Sequence, residues 1–378
     1  MPVNVTLPLV SPHQLSHLAF KNCYPPLPNP IFSPSITHLT LSSSFARGNP
    51  SNVISVNVLL NVLSSMTSLE CLKLNHVPQV HAQPRHLPSS AQRLALPPSF
   101  RKLECLVGRD AIPATTFMSH IELPRGVEVS LGIDIPFDYE EHRIGGISDF
   151  ARLSGTTLRA TCMSPDLPWS LFLTHCEAYI LLGDGKPAHR LRSPADILPW
   201  SGSHSNNALV HLARPTITQL TISDLNGLFL LLPLAHLKSL SISGDLLDTL
   251  CMDDFPEYAQ IIDKILAVPC VGHLTLGLSD NAAHLLEKLA EIHSHLGQVP
   301  TAVSFPFLET ITVGVEDRVD VDNHLFLKES LTPVFDALAA AVNARRNCAN
   351  QVRELRVDRQ LKSMYTWELV TGAAVVTV

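Results

Sequence analysis

One short apolar pattern returns along this chain and narrows its fold more than any other feature. It is an apolar residue, two residues of any kind, an apolar residue, one of any kind, and an apolar residue. The clearest copy is Leu69/Leu72/Leu74, and the run Val56 to Met66 before it carries apolar residues at helical spacing. Further copies stand at Leu15/Leu18/Phe20 and Ile36/Leu39/Leu41, with an imperfect one at Leu103/Leu106. The pattern resumes at Ile217/Leu220/Ile222, Leu237/Leu240/Ile242, Val271/Leu274/Leu276, Leu308/Ile311/Val313 and Val352/Leu355/Val357. Its last two positions alternate, so both side chains face one side of a strand. A strand with one apolar face cannot bury it alone. Stacking it on the next copy is the logic of a solenoid. The interval between Leu106 and Leu220 leaves room for about three more units, with Val127 to Leu131, Leu158 to Cys162 and Ala178 to Leu182 as candidates.

Helical patterns lie between the combs. Pro113 to Ile121 reads as a short helix, and a second is expected from about Asp138 to Leu153. Asp254 and Pro256 stand where a cap and first turn belong, ahead of the stripe Tyr258, Ile261, Ile262 and Ile265. Ser279 or Asp280 can cap a helix striped by Leu285, Leu289, Ile292 and Leu296, with Gly297 and Pro300 to stop it. Thr332-Pro333 is expected to open another, striped by Phe335, Leu338 and Val342. Helix-then-strand repetition demands parallel strands and right-handed crossovers. The expected fold is therefore α/β: a curved parallel sheet on the concave side and helices on the convex side, one domain over 1–378. Its part from about 77 to 215 is insert-rich, with 77–98 and 183–215 read as long loops, and cleaner repeats follow over 216–360.

Composition closes off several function classes. The chain has 378 residues, 46% of them hydrophobic and 16% charged, with a net charge of −7. That balance argues against nucleic acid, whose footprint is a basic face. The longest apolar run, Leu225 to Leu237, contains Pro233 and is too short to span a bilayer. With no secretory leader pattern over Met1 to Val10, an intracellular location, cytoplasmic or nuclear, is expected. The 8 cysteines form no C-x-x-C pair and read as small core residues in a reducing compartment. Cys71 and Cys105 hold the same place in adjacent combs, which would set them side by side, although that compartment argues against a disulfide.

The order of comb, variable loop, helix and comb resembles the irregular leucine-rich-repeat region of F-box-type proteins of basidiomycete fungi. The phrases that carry the resemblance are Ser35 to Leu41, Leu59 to Leu74 and Phe117 to Pro124. It implies a protein–protein interaction scaffold, and within that class the substrate-recruiting part of a ubiquitin ligase. The family's F-box is not found in this chain, so a Skp-type adaptor is not an expected partner. The family's regular Asn or Cys after each comb is also mostly absent.

No local constellation supports catalysis or a cofactor. His284, Glu287, Glu291 and His295 share one side of an expected helix, but no zinc-protease signature accompanies them, and a solvated face is the expected reading. Gly183-Asp-Gly-Lys186 has the wrong spacing for a phosphate-binding loop. The expectation is therefore no enzyme, no cofactor and no metal. The competing expectations are a hydrolase with its site in 183–215, and a degenerate repeat protein without a retained partner. Residues flanking the comb positions point away from the core. They are Cys71, Lys73 and Asn75; Cys105, Val107 and Arg109; Gln219, Thr221 and Ser223; and Ser239, Ser241 and Ser243, followed by His273, Thr275, Thr310, Thr312, Glu354 and Arg356. The middle of this row reads as a solvated hydroxyl ladder. Lys73, Arg109, Glu354 and Arg356 are the expected contacts for an unidentified protein partner.

Overall fold

A computed structural model describes residues 15–22, 29–43, 54–77, 93–107, 111–133, 149–161, 168–175, 177–182, 209–213, 220, 222–251, 256–290, 292–293, 302–314, 324–347 and 351–378. The fold is mixed α/β, and the chain divides into two compact units, Met1–Met163 with Ala208–Ile217, and Ser164–Asn207 with Thr218–Val378.

In the first unit the strands, numbered along the chain, are β1 (His17–Lys21), β2 (His38–Ser42), β3 (Cys71–Asn75), β4 (Leu94–Ala95), β5 (Lys102–Val107), β6 (Ile121–Glu122), β7 (Glu128–Ile133) and β10 (Leu209–Ala213). Six form a parallel sheet in the order β1-β2-β3-β5-β7-β10, and β4 pairs with β6. The helices are α1 (Val56–Ser64), α2 (Ile112–Ser119) and α3 (Asp149–Ala160). Ser55 caps α1 by accepting a hydrogen bond from the Val58 N–H at 3.4 Å. The buried Leu59 and Leu63 of α1 belong to the same core as Leu39, Leu41, Leu72 and Leu74 of the sheet.

The second unit carries β8 (Trp169–Leu173), β9 (Glu177–Leu182), β11 (Leu237–Ile242), β12 (His273–Gly277), β13 (Ile292–His293), β14 (Ala302–Val303), β15 (Thr310–Gly314), β16 (Glu354–Val357) and β17 (Ala374–Thr377). Seven form one sheet in the order β9-β8-β11-β12-β15-β16-β17, parallel except where β9 runs against β8, and β13 pairs antiparallel with β14. Its helices are α4 (Ile222–Leu231), α5 (Gly244–Leu250), α6 (Pro256–Leu266), α7 (Ala282–Ala290) and α8 (His324–Ala344). Apart from the short β13–β14 pair after α7, the run β11-α5-α6-β12-α7-β15-α8-β16 is the strand–helix alternation expected of parallel neighbours. After α8, Asn343 pins the chain: its Oδ1 accepts from the Thr371 and Gly372 N–H groups at 2.9 and 3.0 Å, and its Nδ2 donates to the Leu369 carbonyl at 3.0 Å. Gly372 allows that approach, since a Cβ there would lie 2.7 Å from the Val342 carbonyl oxygen. Among the described residues no helix is long and apolar enough to cross a membrane.

Comb centres stand opposite one another. Leu18 pairs with Leu39 and Leu39 with Leu72; in the second unit Leu240, Leu274, Ile311 and Leu355 follow in register. The expected strand at Val127 to Leu131 is β7, and the last four combs are all parallel.

Several expectations fail for identifiable reasons. On β5 the in-register comb is Phe100/Leu103/Cys105, not one centred on Leu106, which is half-buried on the opposite face. Cys105 therefore faces the core while Cys71 pairs with Lys102 on the other side, so the two thiols are not neighbours. Of the Ile217/Leu220/Ile222 comb, Ile217 lies outside the described residues, and Ile222 opens α4, whose Leu225, Leu228 and Phe229 continue at helical spacing. Leu158 to Ala160 end α3 rather than form a strand, and of the helix expected over 138–153, residues 149–153 begin α3 while 138–148 lie outside the described residues. Residues 183–208 lie outside the described residues, yet 209–213 of the expected loop form β10. Pro333 sits inside α8 rather than at its first turn, and α7 ends at Ala290, with β13 starting two residues later.

Of the expected hydroxyl ladder, Gln219 and Thr221 lie outside the described residues and Ser241 is half-buried, and four further members are not solvated. Ser239, Thr275, Thr310 and Thr312 are 4%, 2%, 7% and 8% exposed. Leu274→Asp is expected to destabilise the second unit by about 3–5 kcal/mol, because it leaves an unpaired charge in the core. Thr275→Arg should also lower the urea midpoint, since its buried position has no room for a guanidinium. A midpoint unchanged in Thr275→Arg would contradict the buried ladder.

Candidate functional site

With leucines, valines and Cys105 turned to the core, the strand period of two turns the intervening residues to the other face, and register decides which of them meet. In the first unit one row runs His17, His38, Cys71, Lys102, Glu128, and the next runs Ala19, Thr40, Lys73, Glu104, Ser130, His211. Their charges interlock. Lys73 Nζ lies 2.7 Å from Glu104 Oε2, Lys102 Nζ lies 2.9 Å from Glu104 Oε1, and Lys102 Nζ lies 3.4 Å from Glu128 Oε1. Each carboxylate oxygen of Glu104 thus has its own lysine.

The hydrogen bond from Lys73 holds the Glu104 carboxyl below the usual carboxylate range; partial burial opposes it, and Lys102 adds to it. Lys102 is raised mainly by its bond to Glu104. Burial raises the Cys71 thiol, as do Glu70, Glu104 and Glu128, against the pull of Lys102. Burial alone pushes Cys105 up to about 12. Neither thiol has the electropositive setting of a reactive cysteine.

In the second unit Ser170, Ser239, His273, Thr310, Glu354 and Ala374 form one row, and Phe172, Ser241, Thr275, Thr312, Arg356 and Val376 the next. Arg356 Nη2 donates to Glu354 Oε2 at 2.9 Å. Nδ1 of His273 is buried without a hydrogen-bond partner. Burial lowers the pKa of this imidazole and Arg356 lowers it further, with Glu309 and Glu354 pulling the other way.

Of the expected partner contacts, Glu354 and Arg356 come together in the second unit and Lys73 lies in the first, joined to Glu104. Arg109 lies outside the described residues. The sequence reading misses Lys102 and Glu104, because it takes Leu106 as the comb position and so assigns Cys105 and Val107, both buried, to the outer face. Counting Cys105 as apolar recovers these two; Glu128 is missed separately, on β7, where the reading assigns no outward residues. Glu291 and His295 of the metal candidate also lie outside the described residues. Among the described residues no group of three or more His, Cys, Asp or Glu could hold a metal ion. One Ser–His contact reaches the segment expected to hold a hydrolase site: Ser130 Oγ is 3.3 Å from His211 Nδ1, between β7 and β10. No family model matches the chain, and no curated protein and no solved structure matches it.

The Lys73–Glu104 bond sets a titration. Because the folded carboxyl is depressed, its stabilising contribution is complete above about pH 4.3, the unperturbed value for Glu, and is lost as pH falls through the folded value. Lys73→Met removes the largest cause and should return the Glu104 pKa toward normal in a carbon-13 carboxyl titration. An unmoved titration would show that the pair does not form in solution.

Proposed function

We propose that the chain is a protein-interaction scaffold, its strand–helix units stacked as irregular leucine-rich repeats into a solenoid with the sheet inside and the helices outside. The observation that carries this reading is the charged cluster Lys73–Glu104–Lys102–Glu128, which joins two neighbouring rows on three adjacent strands of a sheet whose other face is core. Exposed ion pairs contribute only about 0–1 kcal/mol each, so stability gives little reason for assembling four charges there. A docking partner with interleaved charges would use all of them. On this reading Lys73 in the first unit and Glu354 and Arg356 in the second are contact residues. Substrate recruitment to a ubiquitin ligase, in the cytoplasm or nucleus, is the specialisation that the F-box-type resemblance carries.

Immobilised wild-type chain should retain from cell extract a set of proteins that Lys73→Glu or Arg356→Glu releases, and that Lys288→Ala on α7 keeps. An identical set on all four proteins, read by quantitative mass spectrometry, would remove the polar sheet faces from the binding site.

The Ser130–His211 contact favours a second reading, a hydrolase using Ser130 as nucleophile and His211 as base. It predicts that a fluorophosphonate probe labels Ser130 and that His211→Ala abolishes the labelling. The scaffold reading predicts no labelling at Ser130.

A further inference from the structure

In the second unit the core row Leu240, Leu274, Ile311 and Leu355 is buried, and Val375 on β17 continues it in register. Val375 is only half-buried, however, and so is Thr377, whose neighbour Val357 on β16 is buried. On the opposite face Ala374 is exposed and Val376 is 38% exposed. Among the described residues β17 pairs with β16 and with no other strand. The core of this unit is therefore open along one edge of β17.

The backbone of β17 defines what that edge offers. The Ala374 and Val378 N–H groups donate to the Arg353 and Val357 carbonyls at 2.9 and 3.0 Å, toward β16. The alternate residues Val375 and Thr377 turn their N–H and C=O groups to the open edge. Sheet edges are normally guarded by a charge, a proline, a bulge or a cover. The edge strand β1 of the first unit carries the exposed Lys21. From Thr371 to Val378 there is no charged residue and no proline, and the β16–β17 register runs without a bulge.

We propose that β17 is a self-association edge, through which two copies of the chain join by antiparallel β17–β17 pairing. The occupant of this edge must be an uncharged strand that extends the Val375 row and brings a core on the same side of the sheet. A second β17 meets each condition. A two-fold axis normal to the sheet at Val376 sets Val375 opposite Thr377 of the second copy, and Thr377 opposite Val375 of that copy. Each of these facing residues then exchanges both its N–H and its C=O bonds. The axis keeps both cores on one face, so the two open ends close on each other. Val376 meets Val376 of the second copy on the opposite face, as a non-hydrogen-bonded pair with Cα atoms about 4.5 Å apart. Pairing of this isologous kind uses up the edge and stops at two copies. It goes beyond the scaffold reading and does not depend on it.

The test is the mass of the full chain in solution, read by sedimentation equilibrium at about 100 µM, well above a micromolar Kd. Wild-type chain is expected at twice the mass of one copy. Val376 is the probe, because its exposed side chain lies outside the core. Val376→Glu and Val376→Lys each set like charges against each other on the axis, and each should weaken the dimer by at least about tenfold. Their circular dichroism should stay that of wild type. An equal mixture of the two should restore the dimer, since opposite charges then meet. Val376→Cys should form a covalent dimer under mild oxidation, as that Cα separation suits a disulfide, and wild-type chain should not. A wild-type chain at the mass of one copy overturns the proposal. So does a dimer that survives both charge variants, a mixture that restores nothing, or Val376→Cys without the cross-link. A mass that keeps climbing with concentration also overturns it, because it marks head-to-tail pairing with a different edge.

Discussion

Everything ordered in this chain depends on strands that are apolar on one face being unable to bury that face alone. Leu39 and Leu41 are each 1% exposed, and they are so only because Leu72 and Leu74 stand beside them on the next parallel strand. The same dependence runs through Leu240, Leu274, Ile311 and Leu355. A slip of one residue would turn every core side chain outward, so burial fixes register strongly. Fixing register also decides which polar residues meet on the other face. Lys73 faces Glu104 because Leu72 faces Leu103.

That chain of consequence explains what the sequence can and cannot disclose. Parallel strands, their helices and most comb centres are legible, because the apolar spacing is imposed by the same burial that builds the core. The error at β5 comes from one residue: Leu106 looks like a core position and Cys105 does not, yet the thiol is 3% exposed. The error at Ile222 has another source. A gap of three apolar-to-apolar residues fits a helix as well as a comb, and only Leu225, Leu228 and Phe229 further on decide for the helix. Strands β8 and β17 pass unnoticed because each lacks a full comb, although Leu171 and Val375 take their places beside Leu240 and Leu355. Their membership is supplied by neighbours rather than by their own pattern.

The polar rows were less legible than the core, for the same physical reason. Nothing in a period of two says how exposed an outward residue will be. Thr275 and Thr312 occupy positions that alternate correctly with Leu274 and Val313, and both are nearly as buried as their core neighbours. Small hydroxyl residues suit such positions, since they fit between strands and can satisfy their own hydrogen bonds locally. Lys73, with about half of its side chain exposed, belongs to the opposite class.

These two classes divide the non-core faces into parts with different chemistry. Where Ser239, Thr275, Thr310 and Thr312 line the strands, there is too little accessible surface for a partner to read. On the proposed scaffold reading, contact chemistry falls to the longer side chains: Glu354 and Arg356 in the second unit, and the two lysines and two glutamates in the first. Both groups consist of opposite charges already paired with one another. A partner that binds there must break or share those pairs, which makes charge order on the partner, rather than its net charge, the property that is selected. Orientation and register are then specified before any apolar contact forms. Scaffolds that build recognition on stacked strands gain this specificity directly from the ladder, because the spacing of their charges is the spacing of their strands.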